Sequence, residues 1–108
     1  MKVDYRYIGW YNEDNSDKVW ICIQLSGGRI DPLDYNWGGQ GKYLTVWGRR
    51  GKKLQHKVVE ANGYDMDKLI RSKDAKGYRE IPQDKLNEVY PEFEQDLEKT
   101  AFWASLMA

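Results

Sequence analysis

The stretch Gly41–Val59, GKYLTVWGRRGKKLQHKVV, organises the reading of the whole chain. Lys42–Trp47 alternates with a period of two, Leu44 and Val46 on one side and Tyr43, Thr45 and Trp47 on the other, which predicts a strand. Gly48 and Gly51 bracket Arg49-Arg50 and supply the backbone freedom of a tight turn, from which Leu54–Glu60 returns as a partner strand. If the aliphatic pair faces the core, Trp47 looks outward. The same stretch carries Lys42, Arg49, Arg50, Lys52, Lys53 and Lys57 without one Asp or Glu. An aromatic ring stacks on a base or sugar while neighbouring cations hold phosphates, so the hairpin suits a nucleic-acid strand or end. The competing reading is a basic hairpin that is merely solvated.

Upstream, Tyr5–Tyr11 sets Tyr5, Tyr7 and Gly9 against Arg6, Ile8 and Trp10, and Lys18–Leu25 sets Val19, Ile21, Ile23 and Leu25 against Trp20, Cys22 and Gln24. These are two strands of an antiparallel hairpin, joined through the turn-formers Asn12–Asp17. Arg29–Gly41 holds Pro32 and glycines without a sustained period and reads as a long surface loop, with Trp37 either a loop anchor or a contact residue. Downstream, Asp65 is the expected N-cap of a helix through Lys76, with Met66, Leu69, Ile70 and Lys73 on one stripe and Gly77 after its end. Tyr78–Ile81 can close the sheet before Pro82. Gln83–Ala108 reads helical, with a break near Tyr90 and a new helix from Pro91, where Glu92 and Glu94 suit the positive end of the dipole. Its apolar tail, Phe102–Met107, is expected to pack on this sheet or on a second copy.

A chain of 108 residues suits one core, and its 14% aromatic content suits a β-rich fold that packs Tyr and Trp. Formal net charge is zero, so any anion affinity must come from segregation. Segregation is present: Glu80–Glu98 holds Asp84, Glu88, Glu92, Glu94 and Asp96 against Lys85 alone. Cys22 is the only cysteine, which excludes an intramolecular disulfide and points to a reducing, cytoplasmic setting. His56 is the only histidine; one His and one Cys far apart do not make a zinc site, and nothing near either suggests a Cys22–His56 dyad. The sequence has no apolar run of membrane or signal-peptide length, no nucleotide loop and no nucleophile elbow. No cofactor and no catalysis are expected.

Taken in order, these segments resemble the WGR domain, the small module of DNA-dependent poly(ADP-ribose) polymerases and of short bacterial proteins. The resemblance spans about Asp4 to Ile81. It rests on Asn15-Ser16-Asp17-Lys18-Val19-Trp20, on Trp47-Gly48-Arg49 followed by Gly51, Gln55 and Lys57, and on Lys76-Gly77-Tyr78. Leu54 departs from a glycine common in the family, the loop from Ser26 to Gly41 is longer, the helix before Gly77 is shorter, and Gln83–Ala108 has no counterpart. The resemblance implies nucleic-acid binding without catalysis, with Trp47 at a terminal nucleotide and Arg49 at phosphate or a partner. Arg50, Lys52 and Lys53 would add contacts to the backbone that carry no sequence information.

The expected architecture is α+β: a twisted antiparallel sheet of four to five strands with one packed helix over residues 1–81, and a helical extension over 82–108. The expected function is a module that binds DNA or another nucleic acid through Trp47, Arg49, Arg50, Lys52, Lys53, Lys57 and Lys42. The alternative is a protein-interaction or regulatory module that pairs with a partner, or as a homodimer, through the same face and the C-terminal helix.

Overall fold

The computed structural model describes residues 4–27 and 40–99. The chain is α+β, with a five-stranded antiparallel sheet in the order β4-β3-β2-β1-β5. The strands are β1 (Tyr5–Glu13), β2 (Ser16–Gly27), β3 (Gln40–Arg49), β4 (Gln55–Asn62) and β5 (Arg79–Glu80). Helix α1 (Gly63–Ala75) joins β4 to β5, and α2 (Gln83–Val89) follows; a third helix, α3, is described over 93–99. The expected loop from Arg29, Trp37 included, and the tail from Phe102 lie outside the described residues, except that Gln40 and Gly41 already belong to β3. No helix among the described residues is long and apolar enough to cross a membrane.

Hairpin β1–β2 closes more tightly than its run of turn-formers suggests. Glu13 pairs with Ser16, leaving Asp14 and Asn15 at φ 49° and 67° as a two-residue turn in the left-handed region that Asp and Asn tolerate. The alternation of β1 is broken once. A register shift between Tyr5 and Tyr7 sets Tyr5 opposite Ile23 but Tyr7 opposite Cys22, so the two tyrosines lie on opposite faces rather than the same one.

Both faces of the sheet are covered. On one, Ile8, Val19, Ile21, Ile23, Leu44 and Val46 meet Leu86, Tyr90, Phe93 and Leu97, so α2 and α3 pack on the chain's own sheet. On the other, Tyr7, Trp20, Cys22 and Tyr43 meet Met66, with Leu69 and Ile70 of α1 packed around them. The N-cap of α1 is Asn62, not Asp65: the Asn62 side chain accepts from the Asp65 backbone N–H at 2.7 Å, which is worth about 1 kcal/mol. Arg6, at the bulge of β1, pairs with Asp67 at 2.7 Å, and the Tyr7 hydroxyl donates to Asp74, so α1 is pinned along its length. Gly77, at φ +107°, turns the chain out of α1 beneath the Tyr11 ring. Helix α3 starts two residues after Pro91, because 91–92 form a turn behind the Tyr90 C-cap.

Burial of this many proton-releasing groups gives the fold an alkaline limit. Burial pushes the Cys22 thiol up from 9.0 to about 12, partly opposed by Arg6. It also pushes the Tyr5 hydroxyl to about 12, aided by Glu94, and raises Tyr7 further with help from its bond to Asp74. In each case the folded chain keeps a proton that the unfolded chain releases first. Stability is therefore complete below about pH 9 and is lost as pH climbs toward 12. For Cys22 alone the loss by pH 11 is about 2–3 kcal/mol. Urea melts between pH 8 and 11 should show this fall, and in Cys22→Ala its onset should move from the thiol range to the tyrosine range. A flat profile would contradict it.

Candidate nucleic-acid interface

The turn between β3 and β4 is built on two glycines with positive φ, Gly48 at 147° and Gly51 at 81°. A side chain at Gly48 would also run into Leu54. Between them Arg50 folds back over the sheet. Its backbone N–H donates to the Asp17 carbonyl at 3.0 Å. Its guanidinium donates from Nε to Asp17 Oδ2 at 2.7 Å and from Nη1 to the Val89 carbonyl at 2.6 Å. Gly51 adds its backbone N–H to the Tyr90 hydroxyl, which in turn donates to Asp96 at 2.6 Å. Burial and that carboxylate push the Tyr90 hydroxyl up to about 12, so it stays a donor at ordinary pH. The C-terminal extension thus holds the turn in place.

This geometry divides the seven sequence-predicted residues. Residues directly opposite in an antiparallel pair share a face. Trp47 lies opposite Trp20 and Gln55, Arg49 opposite Lys18, and Lys57 opposite Thr45, so these three sit on the face crossed by α1. Trp47 is not the open indole that the Leu44–Val46 alternation suggests. It is partly buried against the Tyr7–Trp20–Met66 cluster because the opposite face of β3 is also covered. Tyr43, further along that face, is fully buried. Arg49 and Lys57 are exposed, and neither makes an ion pair among the described residues.

The others diverge. Arg50 is committed to Asp17 and Val89. Lys52 and Lys53 are exposed at the tip but border a cleft toward α3, on the other face from Trp47. Lys42 lies at the far end of β3, opposite Glu60 and 3.8 Å from its carboxylate.

Tertiary structure adds cations that the sequence reading did not select. Lys18 stands over the Tyr11 ring at 4.9 Å and near Tyr78 at 5.9 Å, and Lys73 of α1 stands over Trp20 at 5.3 Å. Burial lowers the Lys73 pKa, and the nearby charges of Lys76 and Lys18 lower it further. The spacing of Lys73 and Lys76 on one helix was a readable signal. Lys18 required the β1–β2–β3 register. Of the acids on α1, Asp67 is paired with Arg6, whereas Asp74 accepts from the neutral Tyr7 hydroxyl and keeps a charge that offsets part of this field.

Cys22 and His56 do not form a dyad. Cys22 is buried on the α1 face, while His56, opposite Val46, points to the α3 face. Among the described residues no three His, Cys, Asp or Glu side chains gather as a metal site. Compared with protein-family models, with curated proteins and with solved structures, the chain matches none.

Proposed function

We propose that this chain is, as the WGR resemblance implies, a non-catalytic nucleic-acid-binding module, and that it holds the backbone or ends of DNA against the α1 face of the β3–β4 hairpin. The observation that carries the reading is the clustering of Arg49, Lys57, Lys18, Lys73 and Lys76 about the edge of Trp47 and Trp20, without an ion pair to a described carboxylate. Cations around a partly exposed indole match what a phosphate backbone with a stackable terminal sugar or base requires. In this reading Trp47 meets the terminal nucleotide, while Arg49 and Lys57 meet phosphate. Lys52 and Lys53 extend the positive field from the tip, and Arg50 acts as a strut.

Fluorescence anisotropy with blunt duplex, nicked duplex and single strand, at several salt concentrations, tests it. Each phosphate contact steepens the fall of log affinity with log salt by about 0.9 on duplex DNA, so Arg49→Ala and Lys57→Ala should each flatten the slope by about that amount. Trp47→Ala should weaken end binding more than internal binding. Absence of binding to all three at low salt would remove the proposal.

The second reading, a protein-interaction module, is favoured by a different observation. Among the described residues β4 has an unpaired outer edge, with Tyr64 beside it 58% exposed. The extension offers it less than the sequence suggests, since Leu86, Tyr90, Phe93 and Leu97 are spent on the chain's own core. Sedimentation would reveal self-association, and a monomer at all concentrations would count against it.

A further inference from the structure

The face of the sheet turned away from Trp47 holds a second cationic feature, in a concave setting. A cleft of about 600 Å³ opens between the β3–β4 turn, the start of β4 and α3. That size lies within the range of about 300–1,000 Å³ typical of small-molecule sites. Lys52 and Lys53 come from the turn, His56 from β4 and Lys99 from α3, with Leu54 as an apolar wall. None of the four basic side chains makes a hydrogen bond or ion pair among the described residues. The one acid in the lining is Asp96, which already accepts from Tyr90.

Three separate chain segments therefore bring three ammonium groups and an imidazole to one hollow against a single carboxylate. The turn that supplies two of them is held by Arg50 to Asp17 and Val89, and by Gly51 to Tyr90, so its position needs no ordering when a ligand arrives.

We propose that this cleft is a binding site for a short polyphosphate chain, inorganic or borne by a nucleotide, separate from the nucleic-acid face. Lysine is a flexible point-charge donor to phosphate oxygens, and several lysines around one hollow can follow a chain of phosphates that a single phosphate would not span. A half-open cleft of this size on the α3 face, lined from three chain segments, suits a short anion. His56 adds a ring N–H donor on the β4 wall.

Calorimetric titration of the full chain with inorganic triphosphate, with ATP and with orthophosphate, in metal-free buffer at low salt, tests the proposal. Triphosphate is expected to bind one to one, about tenfold or more tighter than orthophosphate, and Lys52→Gln/Lys53→Gln/Lys99→Gln should weaken it by about tenfold or more. Lys68→Gln, which removes a like charge over the Tyr64 ring on α1, should leave it unchanged. ATP binding as well as triphosphate does would assign the site to the phosphate chain alone; clearly tighter ATP would assign it to a nucleotide. No triphosphate binding, or equal binding by the folded triple variant, would overturn the site. So would triphosphate binding that falls in Arg49→Ala/Lys57→Ala as much as in the triple variant, because the anion would then sit on the α1 face. Failure of duplex binding itself leaves this test intact, since its readout is the triphosphate isotherm.

Discussion

Phe93→Ala is expected to lower the unfolding free energy by about 3–5 kcal/mol, a large part of the roughly 5–15 kcal/mol available to a domain of this size. Phe93 is fully buried, with its ring centroid 6.2 Å from that of Tyr5 and 5.5 Å from that of Tyr90 in an edge-on contact. It sits where α3 meets the sheet, in one cluster with Ile8, Val19, Ile21 and Leu44. The consequence should reach the hairpin, because Val89 and Tyr90 hold Arg50 and Gly51. Denaturant melts would give the loss in stability, and amide exchange at Gly51 should speed up by more than global unfolding explains. A cost under about 1 kcal/mol would mean that the extension is not part of the core.

Asp17→Ala should be the next most damaging change, at about 2–3 kcal/mol. One carboxylate accepts from Trp10 Nε1 at 2.7 Å and from Arg50 Nε at 2.7 Å, with Arg50 Nη2 at 2.5 Å. The Arg50 pair is partly open to solvent, which lowers its share. The indole N–H is left without its partner, which raises the cost. If Arg50 is a strut, Asp17→Ala and Arg50→Ala act on the same bonds, and the double variant should be more stable than the sum of the single losses predicts by about 1 kcal/mol. Additive losses would separate the two residues. Arg50→Ala should also leave the salt slope of duplex binding unchanged where Arg49→Ala flattens it, so stability and binding report on the two neighbouring arginines differently.

Much of the sheet could be read from side-chain alternation. Lys18–Leu25 and Lys42–Trp47 each carry a period of two that no helix would keep, and the glycines and turn-formers between segments mark where the chain reverses. The misreadings have local causes. Tyr5 changes face because a bulge is a pairing event with β2, and Asn62 caps α1 because the last residue of β4 was already extended and within reach of the Asp65 N–H. The indole of Trp47 illustrates a different limit. Its alternation with Leu44 and Val46 was correct, but alternation says which residues share a face and not whether that face is covered.

The sequence by itself determined the strands, the helical segments and the concentration of positive charge in one hairpin, because each follows from residues within a few positions of one another. It could not sort that charge. Arg50 differs from Arg49 through an acceptor 33 residues before it and another 39 residues after it. Lys18 joins Lys73 and Lys76 only once β2 and α1 are folded together. Which cations stay free for an anion was decided by tertiary structure, since a hydrogen bond depends on where its acceptor lies in space and not on how near it stands in the chain.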